Sequence, residues 1–70
     1  MDPAERFARN LRRERHRLGL TQEELGAKAD VHRTEISLLE RAERDPRLST
    51  VVRLARGLKI STSELLDGVR

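Results

Sequence analysis

Hydrophobic residues follow helical spacing in several stretches of the chain, and no stretch alternates polar and apolar residues as a half-buried strand does. One stripe near the N-terminus consists of Ala4, Phe7, Ala8, Leu11 and Leu18. A second stripe consists of Leu48, Val51, Leu54, Ala55 and Leu58. Residues three or four positions apart share one face of a helix, so each stripe would face a common core. The pattern predicts an all-α fold of helices and short loops.

Most of the helix starts are marked by a capping residue followed three positions later by glutamate. The pairs are Asp2 with Glu5, Thr21 with Glu24, His32 with Glu35 and Ser61 with Glu64. His32 is a poor N-cap compared with the other three, whereas Gly19 and Gly68 are well suited to end a helix in a left-handed conformation. The predicted helices span residues 3–18, 22–29, 33–41 and 48–58, and a fifth starts after Ser61 and ends at Gly68.

Helices two and three are short and joined by about four residues, which requires them to cross steeply and touch closely. Gly26 lies where they approach, and a side chain larger than that of Ala would push them apart there. Apolar residues occupy the positions that this crossing would bury, namely Leu25, Ala29, Val31, Ile36 and Leu39. Such spacing is typical of a helix-turn-helix, here about residues 21–41, whose second helix lies in the major groove of DNA.

Length and composition limit the classes of protein that remain. Seventy residues form one domain, 1–70, and at this size only about 60% of the unfolded chain's surface is buried. Without cysteine, the core depends on apolar packing alone. No apolar segment approaches the roughly 20 residues of a membrane span, and the first six residues lack a signal-peptide pattern. We therefore expect a soluble, cytoplasmic protein.

The charge and the reactive side chains point weakly to a polyanionic partner and away from catalysis. The net charge is +3, with a sequence pI near 10.5, which many ordinary domains share. His16 and His32 are too isolated to form a metal-ligand set, and no catalytic Ser, His and acid cluster or glycine-rich phosphate loop is present. The sequence predicts no enzyme activity and indicates no cofactor, metal ion or small-molecule ligand.

Several motifs resemble those of one family. Residues 19–25 (GLTQEEL), 36–37 (IS), 39–41 (LER) and 60–66 (ISTSELL) are similar to the Cro/C1 (XRE) helix-turn-helix family, and the likeness extends over residues 7–66. Residues 31–34 and 40–46 also resemble the small controller proteins of restriction-modification systems. The resemblance implies a five-helix, lambda-repressor-like DNA-binding domain that regulates transcription.

Three residues depart from the family pattern. Asp30 and Ala42 stand where glycine is usual, and His32 stands where Ser or Thr usually caps the third helix. Asp tolerates a left-handed conformation fairly well and Ala much less, so we expect the turn after helix three to be adjusted or strained.

The resemblance and the exposed face of helix three together predict the residues that contact DNA. The candidates are Thr21, Gln22, His32, Arg33, Thr34, Glu35, Ser37, Leu38, Arg41, Arg44 and Arg47. Gln22 would hold a phosphate at the start of helix two, and Arg33 is the first candidate to read a guanine edge. Arg41, Arg44 and Arg47 would add sequence-blind phosphate contacts.

Each of these roles has an alternative. Gln22 is otherwise an ordinary exposed residue, and Arg33 belongs to a solvated charged face. Glu35 either reads a cytosine amino group or, as we favour, closes the cap of helix three. Leu38 either touches a thymine methyl group or lies half exposed.

The family resemblance further implies an internal ion pair between Arg15 and Glu40 that ties helix one to the end of helix three. It also implies a homodimer on a palindromic operator, with Leu66 and Val69 as apolar candidates for the dimer interface. The alternative is a protein-interaction module, such as an antitoxin or an antirepressor-responsive regulator, for which DNA binding is secondary.

Overall fold

A computed structural model describes all 70 residues and contains five helices and no strand. The helices are α1 (Pro3–Arg17), α2 (Gln22–Ala29), α3 (Arg33–Glu40), α4 (Leu48–Leu58) and α5 (Thr62–Leu65). The predicted five-helix, all-α fold is confirmed, with helix ends within one residue of the expected ones except in α5, which ends at Leu65, three residues before Gly68. None of the helices is long and apolar enough to cross a membrane.

Three of the helix starts are closed by reciprocal hydrogen bonds between a capping side chain and a glutamate. Asp2 with Glu5, Thr21 with Glu24, and Ser61 with Glu64 each form a complete capping box. The backbone N–H of Thr21 donates to Glu24, and that of Ser61 donates to Glu64. These hydrogen bonds lower the pKa of both carboxyls below the ordinary value of 4.5.

Helix α3 is capped differently. The His32 Nδ1 atom accepts the backbone N–H of Thr34 at 3.0 Å, so this histidine caps the helix despite its low preference. The favoured capping role of Glu35 is wrong, because its carboxylate accepts a hydrogen bond from Arg44 instead. A charged partner from the following loop offers Glu35 a stronger hydrogen bond than a neutral backbone amide does.

The core lies between all five helices. Its fully buried side chains include Phe7, Leu11, Leu25, Ile36, Leu39, Leu54, Leu58 and Leu65. Three members of the predicted apolar stripes lie outside this core: Ala4 is half-buried, Leu18 is 40% exposed and Leu48 is 78% exposed. Leu18 follows the last residue of α1, where the helical repeat no longer applies. Leu48 is the first residue of α4, and its side chain leans back beyond the N-terminal end of the helix.

Two glycines allow helices to lie unusually close together. A Cβ atom on Gly26 would stand 2.6 Å from the backbone oxygen of Val31, so even alanine would clash there, and the expected tolerance of alanine is wrong. A Cβ atom on Gly57 would lie 2.9 Å from the Cβ of Ala29, which places α4 directly on α2. The first contact sets the crossing of α2 and α3, and the second fixes α4 behind it.

The turn after α3 carries backbone strain. Ala42 has a φ of 57°, in the left-handed region that side chains with a Cβ avoid. Asp30, at the end of α2, has a φ of 56°, and it is a residue type that tolerates this conformation better. The predicted strain after helix three is therefore confirmed and lies at Ala42.

Candidate nucleic-acid interface

The outer face of α3 presents polar side chains to solvent while its inner face is anchored in the core. Ile36 and Leu39 are completely buried. Arg33 and Thr34 are exposed at the N-terminal end of the helix, and Ser37 and Leu38 are half-buried one turn further along. The side chains expected to reach DNA bases thus lie on the surface of α3, with the two apolar residues fixing the helix from behind.

The C-terminal end of α3 is held by a buried carboxylate. Glu40 is 3% exposed and accepts two hydrogen bonds from the Arg15 guanidinium, from Nε at 2.7 Å and from Nη2 at 2.9 Å. These bonds raise the pKa of Arg15 above its ordinary value, so its guanidinium stays charged. The guanidinium of Arg12 donates to the backbone oxygen of Glu40. The ion pair implied by the resemblance is present and joins α1 to α3.

Gln22 is connected to the same carboxylate. It begins α2, and its Nε2 atom donates to Glu40 Oε1 at 3.1 Å. The side chain is half-buried, which differs from the fully exposed residue considered as its alternative. An amide Nε2 carries two N–H groups, so this bond orients Gln22 and leaves a second donor. Thr21, just before it, is exposed, but its hydroxyl is engaged in the cap of α2.

Three of the four candidate arginines form ion pairs on the surface. Arg33 Nη1 lies 3.2 Å from Glu23, and Arg41 lies 3.5 Å from Glu43. Arg44 Nη1 lies 2.5 Å from Glu35 Oε1. The sequence analysis did not identify Glu23 or Glu43 as partners of these arginines. Glu23 is ten residues from Arg33, so no local spacing indicates that pair. Arg41 and Glu43 are two residues apart, and charged neighbours are too common on protein surfaces to indicate a pair.

The loop between α3 and α4 adds a polar cleft beside these residues. It has a volume of about 480 Å³ and is lined by Glu35, Arg44, Asp45, Arg47 and Thr50. Arg47 is the N-cap residue of α4 and makes no capping hydrogen bond with its side chain. His32, Arg41, Arg44 and Arg47 are all exposed, so this edge of the protein offers several donors to an anionic ligand.

The residues expected at a dimer interface lie at a second cleft, which shares Asp45 with the polar one. Leu66 and Val69 are half-buried and pack against the core, where they line a cleft of about 240 Å³ with Phe7 and Pro46. More apolar surface is exposed on α4, at Leu48 and at Val52, which is 36% exposed. These two residues are one helical turn apart and were not identified from the sequence as surface residues.

Known proteins with similar sequences identify the family. The family described as Helix-turn-helix matches residues 11–65. The control protein C.SmaI of Serratia marcescens is 42% identical over 66 residues, which cover 94% of this chain and 79% of that protein. An uncharacterised HTH-type transcriptional regulator, y4dJ of Sinorhizobium fredii, is 38% identical over 66 residues, covering 94% of this chain and 86% of its own length.

Solved structures agree with this assignment. The restriction-modification controller protein C.AhdI of Aeromonas hydrophila has a TM-score of 0.86 and 32% identity, covering 89% of this chain and 94% of that one. The five-helix fold of this chain is therefore a known architecture. The chain is a member of the Cro/C1-type helix-turn-helix family of DNA-binding transcriptional regulators.

Proposed function

We propose that this regulator binds a palindromic DNA operator as a homodimer, with α3 of each subunit in the major groove. The observation that carries the proposal is the arrangement of α3: Arg33 and Thr34 are exposed at its start, and Ile36 and Leu39 anchor its opposite face in the core. A helix held in this way can enter a groove without losing its packing. Arg33 would read guanine, and Thr34, Ser37 and Leu38 would contact neighbouring base edges or thymine methyl groups.

Phosphate contacts would surround this reading face. Gln22 would hold a phosphate beside the N-terminus of α2, where Thr21 lies next to it, and His32 would do so at the start of α3. Arg41, Arg44 and Arg47 would follow the backbone along the loop after α3. Such contacts give affinity without sequence information, so the operator sequence would be read mainly by α3.

The experiment that tests this reading compares Arg33→Ala with Arg47→Ala. Operators are first selected from a pool of random-sequence duplexes, and binding is then measured on the selected and on random DNA. Arg33→Ala should lose about 1 to 3 kcal/mol on the operator, relax the preference at one base pair, and change binding to random DNA much less. Arg47→Ala should weaken both complexes by a similar factor. An equal loss on every duplex for Arg33→Ala would remove it from base reading, and selection of no sequence at all would favour a protein partner.

The dimer would use the apolar surface at the start of α4 together with Leu66 and Val69. Two exposed apolar side chains one turn apart are unfavourable in water, and a second copy of the chain would cover them across a two-fold axis. That axis would place the two α3 helices about 34 Å apart, one turn of the DNA helix.

Sedimentation of the parent and of Leu48→Glu tests this surface. The parent should be a dimer at tens of micromolar or when bound to operator, and Leu48→Glu should be a monomer with the same thermal stability. Leu18→Glu is the matched control, since it adds the same charge at another exposed leucine and should leave the dimer intact. A dimer that tolerates Leu48→Glu would place the interface elsewhere.

A further inference from the structure

The surface proposed to face DNA is electrically balanced. Its four arginines are Arg33, Arg41, Arg44 and Arg47, and its four acids are Glu23, Glu35, Glu43 and Asp45. Their charges cancel, although the whole chain carries +3. A surface that binds a polyanion usually gains from an excess of positive charge. The acids on this face therefore require a physical explanation.

Glu35 is the acid whose placement is best defined. Its carboxylate lies 2.5 Å from Arg44 Nη1, and its side chain is 23% exposed, against 76% for Glu23 and 53% for Glu43. Less exposed pairs are less screened by water and salt, so Arg44 and Glu35 interact more strongly than the other two pairs. The pair joins α3 to the loop that would run along the DNA backbone.

We propose that Glu35 competes with DNA phosphate for Arg44 and thereby lowers the affinity of the protein for DNA of any sequence. The inference rests on the proposed DNA-binding function. When Arg44 approaches a phosphate, it must give up or share its bond with Glu35, so one ion pair replaces another and little free energy is gained. Binding to DNA of any sequence is weakened by that exchange. An operator complex bears the same loss, but it also has the base contacts of Arg33 and its neighbours on α3.

The measurement is the salt dependence of binding to short random-sequence duplexes, which needs no knowledge of the operator. Glu35→Gln keeps the size and the hydrogen-bonding oxygen of the side chain but removes its charge. Without the competing carboxylate, the phosphate contact of Arg44 is no longer offset by the loss of an ion pair, so the slope of log K against log salt should steepen by about 0.9. Affinity for random DNA at low salt should rise about threefold or more, and affinity for a selected operator should rise by a similar factor.

Two further variants separate competition from a simple change in charge. Asp45→Asn removes the same charge from the same cleft, and Asp45 forms no ion pair with an arginine. It should raise affinity slightly and leave the slope unchanged. Arg44→Gln should restore the parental slope when combined with Glu35→Gln. By itself it should change the slope little, because in the parent the phosphate contact of Arg44 is offset by the loss of its bond with Glu35. Circular dichroism and thermal melting establish that each variant is folded.

Each other outcome overturns the proposal in a recognisable way. Equal slopes for Glu35→Gln and Asp45→Asn would show an effect of net charge alone. Weaker binding of Glu35→Gln to random DNA would mean that Glu35 orients Arg44 towards phosphate. An altered preference at one base pair with an unchanged slope would make Glu35 a direct reader of DNA. If the parent shows no salt-dependent binding to any duplex, the DNA-binding function itself fails and this inference fails with it.

Discussion

Glu35 and Glu40, five residues apart on α3, each accept hydrogen bonds from an arginine but differ in burial and in role. Glu40 is 3% exposed and Arg15 is 13% exposed, and their bidentate contact ties α1 to the end of α3. Glu35 is 23% exposed and Arg44 is 54% exposed, and their contact lies on the surface beside an open cleft. The chemistry of the two pairs is the same, so burial decides the role of each. Removing one partner of the buried pair would leave a charge without solvent, whereas either partner of the exposed pair can be solvated by water.

The largest expected effect comes from breaking the buried pair. Glu40→Gln leaves the Arg15 guanidinium charged and poorly solvated, so the free energy of unfolding should fall by about 3 to 5 kcal/mol. Glu35→Gln is the matched control within the same helix and should cost less than about 1 kcal/mol. Urea denaturation monitored by circular dichroism gives both values. Similar losses for the two variants would show that burial does not distinguish the pairs.

A smaller effect, an increase in the free energy of unfolding, is expected from a substitution two residues beyond Glu40. Ala42 has a φ of 57°, and Ala42→Gly should relieve this strain and raise the free energy of unfolding by about 0.5 to 1 kcal/mol. Ala27 is exposed within α2, so Ala27→Gly should instead lower the free energy of unfolding by about 1 kcal/mol. If both substitutions lowered the free energy of unfolding, the turn after α3 would carry no strain. The pair of Arg15 and Glu40 would then be the feature of this end of α3 that affects stability.

The sequence predicted the features that depend on neighbouring residues. The boxes at Asp2, Thr21 and Ser61 formed as expected because each depends on two side chains within one turn of a helix. The left-handed turn at Ala42 was recognisable because glycine is usual there in the family. The pairing of Arg15 with Glu40, 25 residues apart, came from the resemblance and from no local pattern.

Features that depend on distant partners were missed. Glu35 has the spacing of a capping residue, but Arg44 approaches it from the loop and takes the carboxylate away from the backbone. Leu48 fits the apolar stripe of α4 but is exposed. The spacing of apolar residues does not show which end of a helix extends beyond the helices packed against it. The ion pair of Arg33 with Glu23 depends on the angle at which α2 and α3 cross, which no spacing in the sequence specifies.

Gly57 has a consequence for the spacing between operator half-sites that the protein would accept. Its missing side chain lets α4 rest on Ala29 of α2, so the helix that carries Leu48 and Val52 packs directly on the helix-turn-helix. If the subunits associate through α4, no flexible linker separates the dimer interface from the helix-turn-helix that reads bases. The protein would then accept operators with one fixed separation of half-sites, and insertion of a single base pair between them would abolish simultaneous binding by both subunits.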